Sequence, residues 1–204
     1  HVYLTVSSAL KGPDAAEWQE VIDIEEARLL AYRTWEEAKP ADIANGKQVL
    51  PINIILTEKR CGRKKARAVV LGNLDRHSGE IDCYAPCITQ GGIRLLLTEA
   101  ASQGDVLRAF DLDSAFLNAE LDRTATVRLP PCWVAKHADS VKKLRKCLYG
   151  LRDAPKGWFK KYHEILRGLG WTPCEGCPGL WRKPSDKFAG KWLKMAVYVD
   201  DNFA

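Results

Sequence analysis

The chain has 204 residues, 46% hydrophobic and 28% charged, with a formal net charge of +5. That length supports one sizeable core or two small subdomains, and the composition, free of repeats and low-complexity tracts, excludes a disordered tail. No apolar run approaches the roughly 18 residues that span a bilayer, and the opening residues lack a signal peptide's basic start and apolar centre, so an intracellular protein is expected.

In chain order, Pro13-Asp14 opens a predicted helix whose apolar residues Trp18, Val21, Ile22, Leu29 and Leu30 recur at helical spacing. Asp14 is its expected cap, and its end is expected near Lys39-Pro40. Val49 to Leu56 and Ala66 to Leu71 read as two strands of a hairpin, with a basic cluster from Lys59 to Arg67 at the loop, and Gly72 to Gly79 is polar and turn-rich. A helix over Ile93 to Ser102 precedes a short strand, Val106 to Asp111. Further short strands, Val127 to Leu129 and Val141 to Leu144, are separated by Pro130-Pro131. Ala154 to Leu169 is a helix with Pro155 in its first turn, closed by Gly168 and Gly170. Leu180 to Lys183 and Lys191 to Val199 complete the order, which is α+β rather than alternating β-α-β.

Seven cysteines without regular spacing suit reduced thiols, while Cys83 with Cys87 and Cys174 with Cys177 leave a four-thiolate zinc site as an alternative. Between Lys142 and Lys161, eight Lys and Arg residues face a single acid, Asp153, with Tyr149, Trp158 and Phe159 interleaved. Basic side chains track phosphates and aromatic faces stack on bases, so this stretch reads as a nucleic-acid groove or a solvated helix face.

The last predicted strand places Leu193, Met195, Val197 and Val199 on one side, Trp192, Lys194, Ala196 and Tyr198 on the other, and delivers Asp200-Asp201 to a turn. Two carboxylates about 4 Å apart repel by roughly 4 kcal/mol at an effective dielectric near 20. A sheet that holds them together therefore calls for a cation, and hard oxygen donors suit Mg²⁺. A solvated turn would carry the same pair. Asp111, at the end of another short strand, is followed by small residues entering a helix, an arrangement that leaves backbone N–H groups to cradle phosphates beside a carboxylate-bound metal.

Three motifs occur in order: Asp111-Leu-Asp-Ser-Ala-Phe-Leu-Asn118, Leu148-Tyr-Gly-Leu-Arg-Asp-Ala-Pro-Lys-Gly-Trp158, and Tyr198-Val-Asp-Asp201, with Leu129-Pro130-Pro131 between the first two. Together they resemble the reverse transcriptase of copia-type LTR retrotransposons. The resemblance starts near Trp18, takes in Thr34-Trp35, Lys65-Ala66-Arg67 and Ile93 to Leu97, and covers nearly all of the chain. It implies an α+β fold of polymerase fingers (residues 1–105) and palm (106–204), the palm a ferredoxin-like antiparallel sheet with helices on one face, with the thumb absent. The implied activity is RNA-directed DNA polymerisation, by two-metal nucleotidyl transfer of dNTPs onto a primer 3′-hydroxyl on an RNA or DNA template. The alternative is an inactive retroelement remnant that binds nucleic acid.

Carried over by position, the resemblance makes Asp111, Asp200 and Asp201 catalytic. With Leu112 they would hold two Mg²⁺ ions, Mn²⁺ being a possible substitute. Lys65, Arg67, Asp113, Ser114, Ala115, Phe116, Tyr149 and Gly150 would bind the dNTP, Phe116 sitting where a bulky ring excludes a 2′-hydroxyl. A core phenylalanine and a solvated basic loop are the other readings of Phe116 and of Lys65 with Arg67. Arg152, Lys156, Tyr198 and Val199 would contact template and primer. Integrase and RNase H segments are expected elsewhere in a parent polyprotein, and a cytoplasmic particle or the nucleus is the expected location. Asp153 replaces the usual glutamine of the second motif, for which capping of the following helix is a local rationale.

Overall fold

The computed structural model describes residues 4–44, 47–76, 79 and 81–204. Helices and strands are mixed as the sequence suggests, in two compact units that each hold one five-stranded sheet. One unit takes the chain as far as Asp82 and again Phe116–Ala154, and the other takes Cys83–Ala115 and Pro155–Ala204. The units therefore do not follow a single cut at 105/106. Of the polar stretch 72–79, residues 77 and 78 lie outside the described residues.

With elements numbered along the whole chain, the first unit contains α1 (Val6–Ala9), α2 (Ala15–Ala31), β1 (Trp35–Glu37), α3 (Pro40–Ile43), β2 (Val49–Glu58) and β3 (Lys64–Val70). The second contains α4 (Gln90–Gln103) and β4 (Ala109–Asp111), and the chain then returns to the first for β5 (Thr126–Arg128), α5 (Pro131–Val134) and β6 (Val141–Leu144). The second unit ends with α6 (Ala154–Gly168), β7 (Thr172–Pro173), β8 (Leu180–Pro184), β9 (Trp192–Tyr198) and β10 (Asp201–Phe203).

The first sheet has the order β1-β6-β5-β2-β3, with β5 parallel to β2 and the other pairs antiparallel. The predicted hairpin is present, and its inward residues Leu50, Ile52, Ile54, Leu56, Ala66, Ala68 and Val70 form one core with Trp18, Ile22 and Leu29 of α2. Burying each large apolar side chain contributes about 1.5–3 kcal/mol, which outweighs the modest amphipathicity of α2. α2 stops at Ala31, earlier than expected, because Arg33 takes φ +51° and the Thr34 hydroxyl donates to Leu29 O at 2.7 Å. The following Trp35–Glu37 then pairs with β6 as a strand. Asp14 caps nothing through its side chain, and its carboxylate instead lies 3.2 Å from Lys64.

The second sheet, β4-β10-β9-β8-β7, is antiparallel throughout. α4 begins at Thr89, whose hydroxyl accepts from the Gly92 N–H at 3.1 Å, and its Ile93 and Leu96 pack with Ile88, Leu180, Ala196 and Phe203. α6 lies on the other face, where His163 meets Trp181 edge-on at 4.5 Å and Tyr162 reaches Asn202. Trp181 is the cross-strand partner of Met195, and Asn202 that of Val197, so both point away from the Ala196 face. Helices thus cover both faces of this sheet rather than one. For the same reason β9 departs from the expected one-sided alternation: Met195, Ala196 and Val197 are all buried, whereas Trp192 and Leu193 at its start are exposed. Among the described residues no helix is long and apolar enough to cross a membrane.

Candidate active site

The three acids singled out by sequence belong to one corner of the second sheet. β4 and β10 pair with Asp111 directly opposite Asp201, and β9 turns into β10 through Val199-Asp200, with Tyr198 opposite Asp201. Direct antiparallel partners project from the same face with Cβ atoms about 4.5–5.5 Å apart. Asp111 and Asp201 are exposed, and neither carboxylate has a hydrogen-bond or ion-pair partner among the described residues. Like charges so placed are destabilising by themselves and form a donor set that a hard divalent cation neutralises. The side chains are not closed into a cage: among the described residues no three His, Cys, Asp or Glu side chains are grouped so as to hold a metal ion. Among the described residues the cysteines of the zinc alternative form no such group either, and all seven cysteines are free thiols.

The turn that carries Asp200 is held from several directions. Val199 has φ +58°, a conformation rarely adopted by a β-branched residue but required at the first central position of a type I′ or II′ hairpin turn. Its carbonyl accepts a 2.8 Å hydrogen bond from the Trp158 indole, and the Asp200 carbonyl accepts from Leu112 N–H at 3.0 Å and from Asn202 Nδ2 at 2.8 Å. The Leu112 N–H is therefore committed to the turn rather than to a phosphate. Beyond it, Asp113 is exposed, Ser114 is buried with φ +53°, and Ala115 starts a short 3₁₀ turn.

Within the first unit, three of the expected nucleotide-binding side chains form a stack. The Arg67 guanidinium lies 4.5 Å from the Tyr149 ring centroid, and Phe116 meets the same ring edge-on at 4.9 Å. Phe116 is half-buried against the core of this unit, which is the packing that its reading as a core phenylalanine expects. Lys65, partly buried, has its ammonium pushed below the ordinary lysine range by burial, and secondarily by neighbouring Arg67. An anion beside it would offset both effects. The loop of Tyr149-Gly150 is fixed to β3: Val70 N–H donates to Tyr149 O at 2.7 Å, and Gly150, at φ +90°, sits so close that a Cβ would lie 1.9 Å from Val70 O.

Residues 33–204 match the profile of the family described as reverse transcriptase (RNA-dependent DNA polymerase). The chain belongs to this family. It is 28% identical over 80% of its length to the Retrovirus-related Pol polyprotein from transposon TNT 1-94 of Nicotiana tabacum, and 27% identical over 90% to that from transposon RE1 of Arabidopsis thaliana. These relatives identify a copia-type reverse transcriptase domain, as the three motifs imply, and the chain spans 13% of the length of each. A shorter stretch, 45% of the chain, is 39% identical to the putative transposon Ty5-1 protein YCL074W of Saccharomyces cerevisiae, of which it covers 29%.

In this reverse transcriptase domain, the basic stretch from Lys142 divides by use. Lys142 is buried and paired with Glu37, Lys143 lies 3.6 Å from Glu36 and 3.4 Å from Asp42, Arg145 binds Glu36 at 2.9 Å and Lys146 binds Glu120 at 2.6 Å. These four cations are paired with acids of β1 and its neighbours. Trp158 is likewise withdrawn from base stacking, since it is buried, stacked on Tyr162 at 5.0 Å, and bonded to Val199. Of the expected template contacts, Arg152 and Tyr198 are exposed, while Lys156 and Val199 are half-buried. Asp153 has a partner that sequence reading did not foresee: Arg123 Nε donates to it at 2.6 Å, and the same guanidinium lies 3.1 Å from Asp75. Burial alone would lower the Arg123 pKa, and Asp153 together with Asp75 reverses this and raises it. Arg123, Tyr162 and Asn202 carried no motif signal, and only their tertiary partners reveal them.

Proposed function

We propose that this chain is the fingers and palm portion of an RNA-directed DNA polymerase that transfers dNTPs to a primer 3′-hydroxyl on a nucleic-acid template. The observation that carries the reading is the cross-strand pairing of Asp111 with Asp201 beside the Asp200 turn. The hard, like-charged donor set fits divalent cations, which Asp111, Asp200, Asp201 and the Leu112 backbone would hold. When bound, Mg²⁺ supplies charge neutralisation at the primer hydroxyl and at the departing pyrophosphate. The protein's own groups then bind and orient. Lys65 and Arg67 offer cations to triphosphate oxygens, and the backbone of Asp113, Ser114 and Ala115 offers N–H groups to phosphate. Phe116 excludes a ribose 2′-hydroxyl, and Tyr149 and Gly150 shape the nucleotide pocket. Arg152, Lys156, Tyr198 and Val199 contact template and primer.

The test is primer extension by a polypeptide that continues beyond Ala204 through the segment expected to form the thumb. Extension that requires Mg²⁺ and disappears in Asp111→Asn and Asp200→Asn is the expected result. Extension that survives Asp200→Asn would refute the catalytic assignment, and salt-sensitive primer-template binding without incorporation would favour the inactive remnant.

A further inference from the structure

The turn bearing Asp200 contains a strained residue and is not left to hold itself. Val199 is β-branched and sits at φ +58°, so the turn persists only if its surroundings determine it. Both carbonyls of its central pair are bound by side chains: Val199 O by the Trp158 indole at 2.8 Å and Asp200 O by Asn202 Nδ2 at 2.8 Å. Asn202 is only 1% exposed, and its orientation follows from chemistry. A carbonyl oxygen only accepts, so the amide NH₂ must face Asp200, which leaves Oδ1 to accept from the Tyr162 hydroxyl at 2.9 Å. The phenol must therefore donate. Burial pushes its pKa up to about 12, which keeps the proton on the oxygen through the neutral range. Tyr162 and Trp158, one turn apart on α6, stack at 5.0 Å with their planes within 11°. One helix thus grips both carbonyls of the turn, one directly and one through Asn202.

We propose that Trp158, Tyr162 and Asn202 are positioning residues that set the affinity of the Asp111, Asp200 and Asp201 carboxylates for divalent cations. The proposal rests on the metal reading of those acids. Apolar side chains of similar size would fill the same space between α6 and the sheet, but would leave both turn carbonyls without these donors. Through β10 the same grip reaches Asp201, which immediately precedes Asn202, and through the Leu112 N–H bond to Asp200 O it reaches the end of β4 beside Asp111.

The test uses the 204-residue chain, with Mn²⁺ as the probe and its binding followed by the electron paramagnetic resonance signal of the free ion. Thermal unfolding is recorded in parallel. Tyr162→Phe keeps the ring and its stack and removes only the hydroxyl, so it isolates the bond to Asn202. Mn²⁺ binding should weaken on the order of tenfold in Tyr162→Phe and Asn202→Leu, the scale seen when groups that orient metal ligands are lost. The double variant should lose little more than either single one, because both act through one bond. Trp158→Phe should weaken binding independently of that pair. If binding depends on Asp111 but stays within about twofold of wild type in the folded Tyr162→Phe and Asn202→Leu proteins, the positioning role is wrong and the metal reading stands. If wild type does not bind Mn²⁺, or binds it equally after Asp111→Asn, the metal reading fails and this proposal falls with it.

Discussion

Gly150 is the position at which a single methyl group should do the most damage for its size. An alanine there keeps φ near +90° at a conformational cost of about 1 kcal/mol, and its Cβ would lie 1.9 Å from Val70 O and 2.6 Å from Val69 Cγ1. The first contact is with backbone and cannot be relieved by a rotamer change, so the loop must withdraw, at roughly 1–3 kcal/mol for the overpacking. Withdrawal also breaks the 2.7 Å bond from Val70 N–H to Tyr149 O, for about another 1 kcal/mol. The sum is roughly 3–5 kcal/mol, and at a urea slope near 2 kcal/mol per molar the unfolding midpoint should drop by about 1.5–2.5 M. Gly62 provides the control: it has φ +79° but nothing within 4 Å of a built Cβ, so Gly62→Ala should lose only about 1 kcal/mol. Urea unfolding of the two variants beside wild type makes the measurement. Equal losses in both would refute the close-approach argument, and so would a Gly150→Ala loss under about 1 kcal/mol.

Three further outcomes are expected. Asp111→Asn should raise stability in metal-free buffer by about 0.5–1 kcal/mol, because a like-charged cross-strand pair is relieved; added Mg²⁺ should raise the melting temperature of wild type only. Asp153→Gln, which restores the usual residue of the motif, should lower stability by about 1–2 kcal/mol in denaturant titrations by leaving Arg123 with Asp75 alone; an unchanged midpoint would remove the ion pair as the reason for Asp153. His163 is held down at about 4 against an ordinary 6.5, first by burial and then by Arg167. The unfolded chain therefore takes up that proton before the folded one does, and stability that is full above 6.5 declines as pH falls toward 4. After allowance for the partial solvent access of the ring, the loss should be about 1–2 kcal/mol, and His163→Leu should show a correspondingly shallower fall in melting temperature between neutral and acidic pH.

Local pattern and chemistry were enough to read the hairpin, the helix starting near Ala154, the strand leading to Asp200, and the family itself, because each rests on residues close in sequence. Periodicity located β2 and β3 because one face of each is buried, and it failed for β9, where α4 and α6 bury both faces. The early end of α2 depended on a positive φ at Arg33 and on pairing of β1 with β6, a partner more than a hundred residues away in the chain. The ion pairs of Lys142, Lys143, Arg145 and Lys146 were hidden for the same reason: composition records charge but not the acids that distant segments bring to it.

The acids show the division most clearly. That Asp111, Asp200 and Asp201 are candidate metal ligands was legible in the first and third motifs, since the hardness of a carboxylate as a donor is a property of the residue itself. That Asp111 faces Asp201, that Trp158 grips Val199, and that Tyr162 governs Asp200 through Asn202 was decided only by the pairing of β4 with β10 and the packing of α6. Hydrogen bonds between residues some forty positions apart leave no periodic trace in the chain, and their geometry exists only once burial has fixed the helix against the sheet.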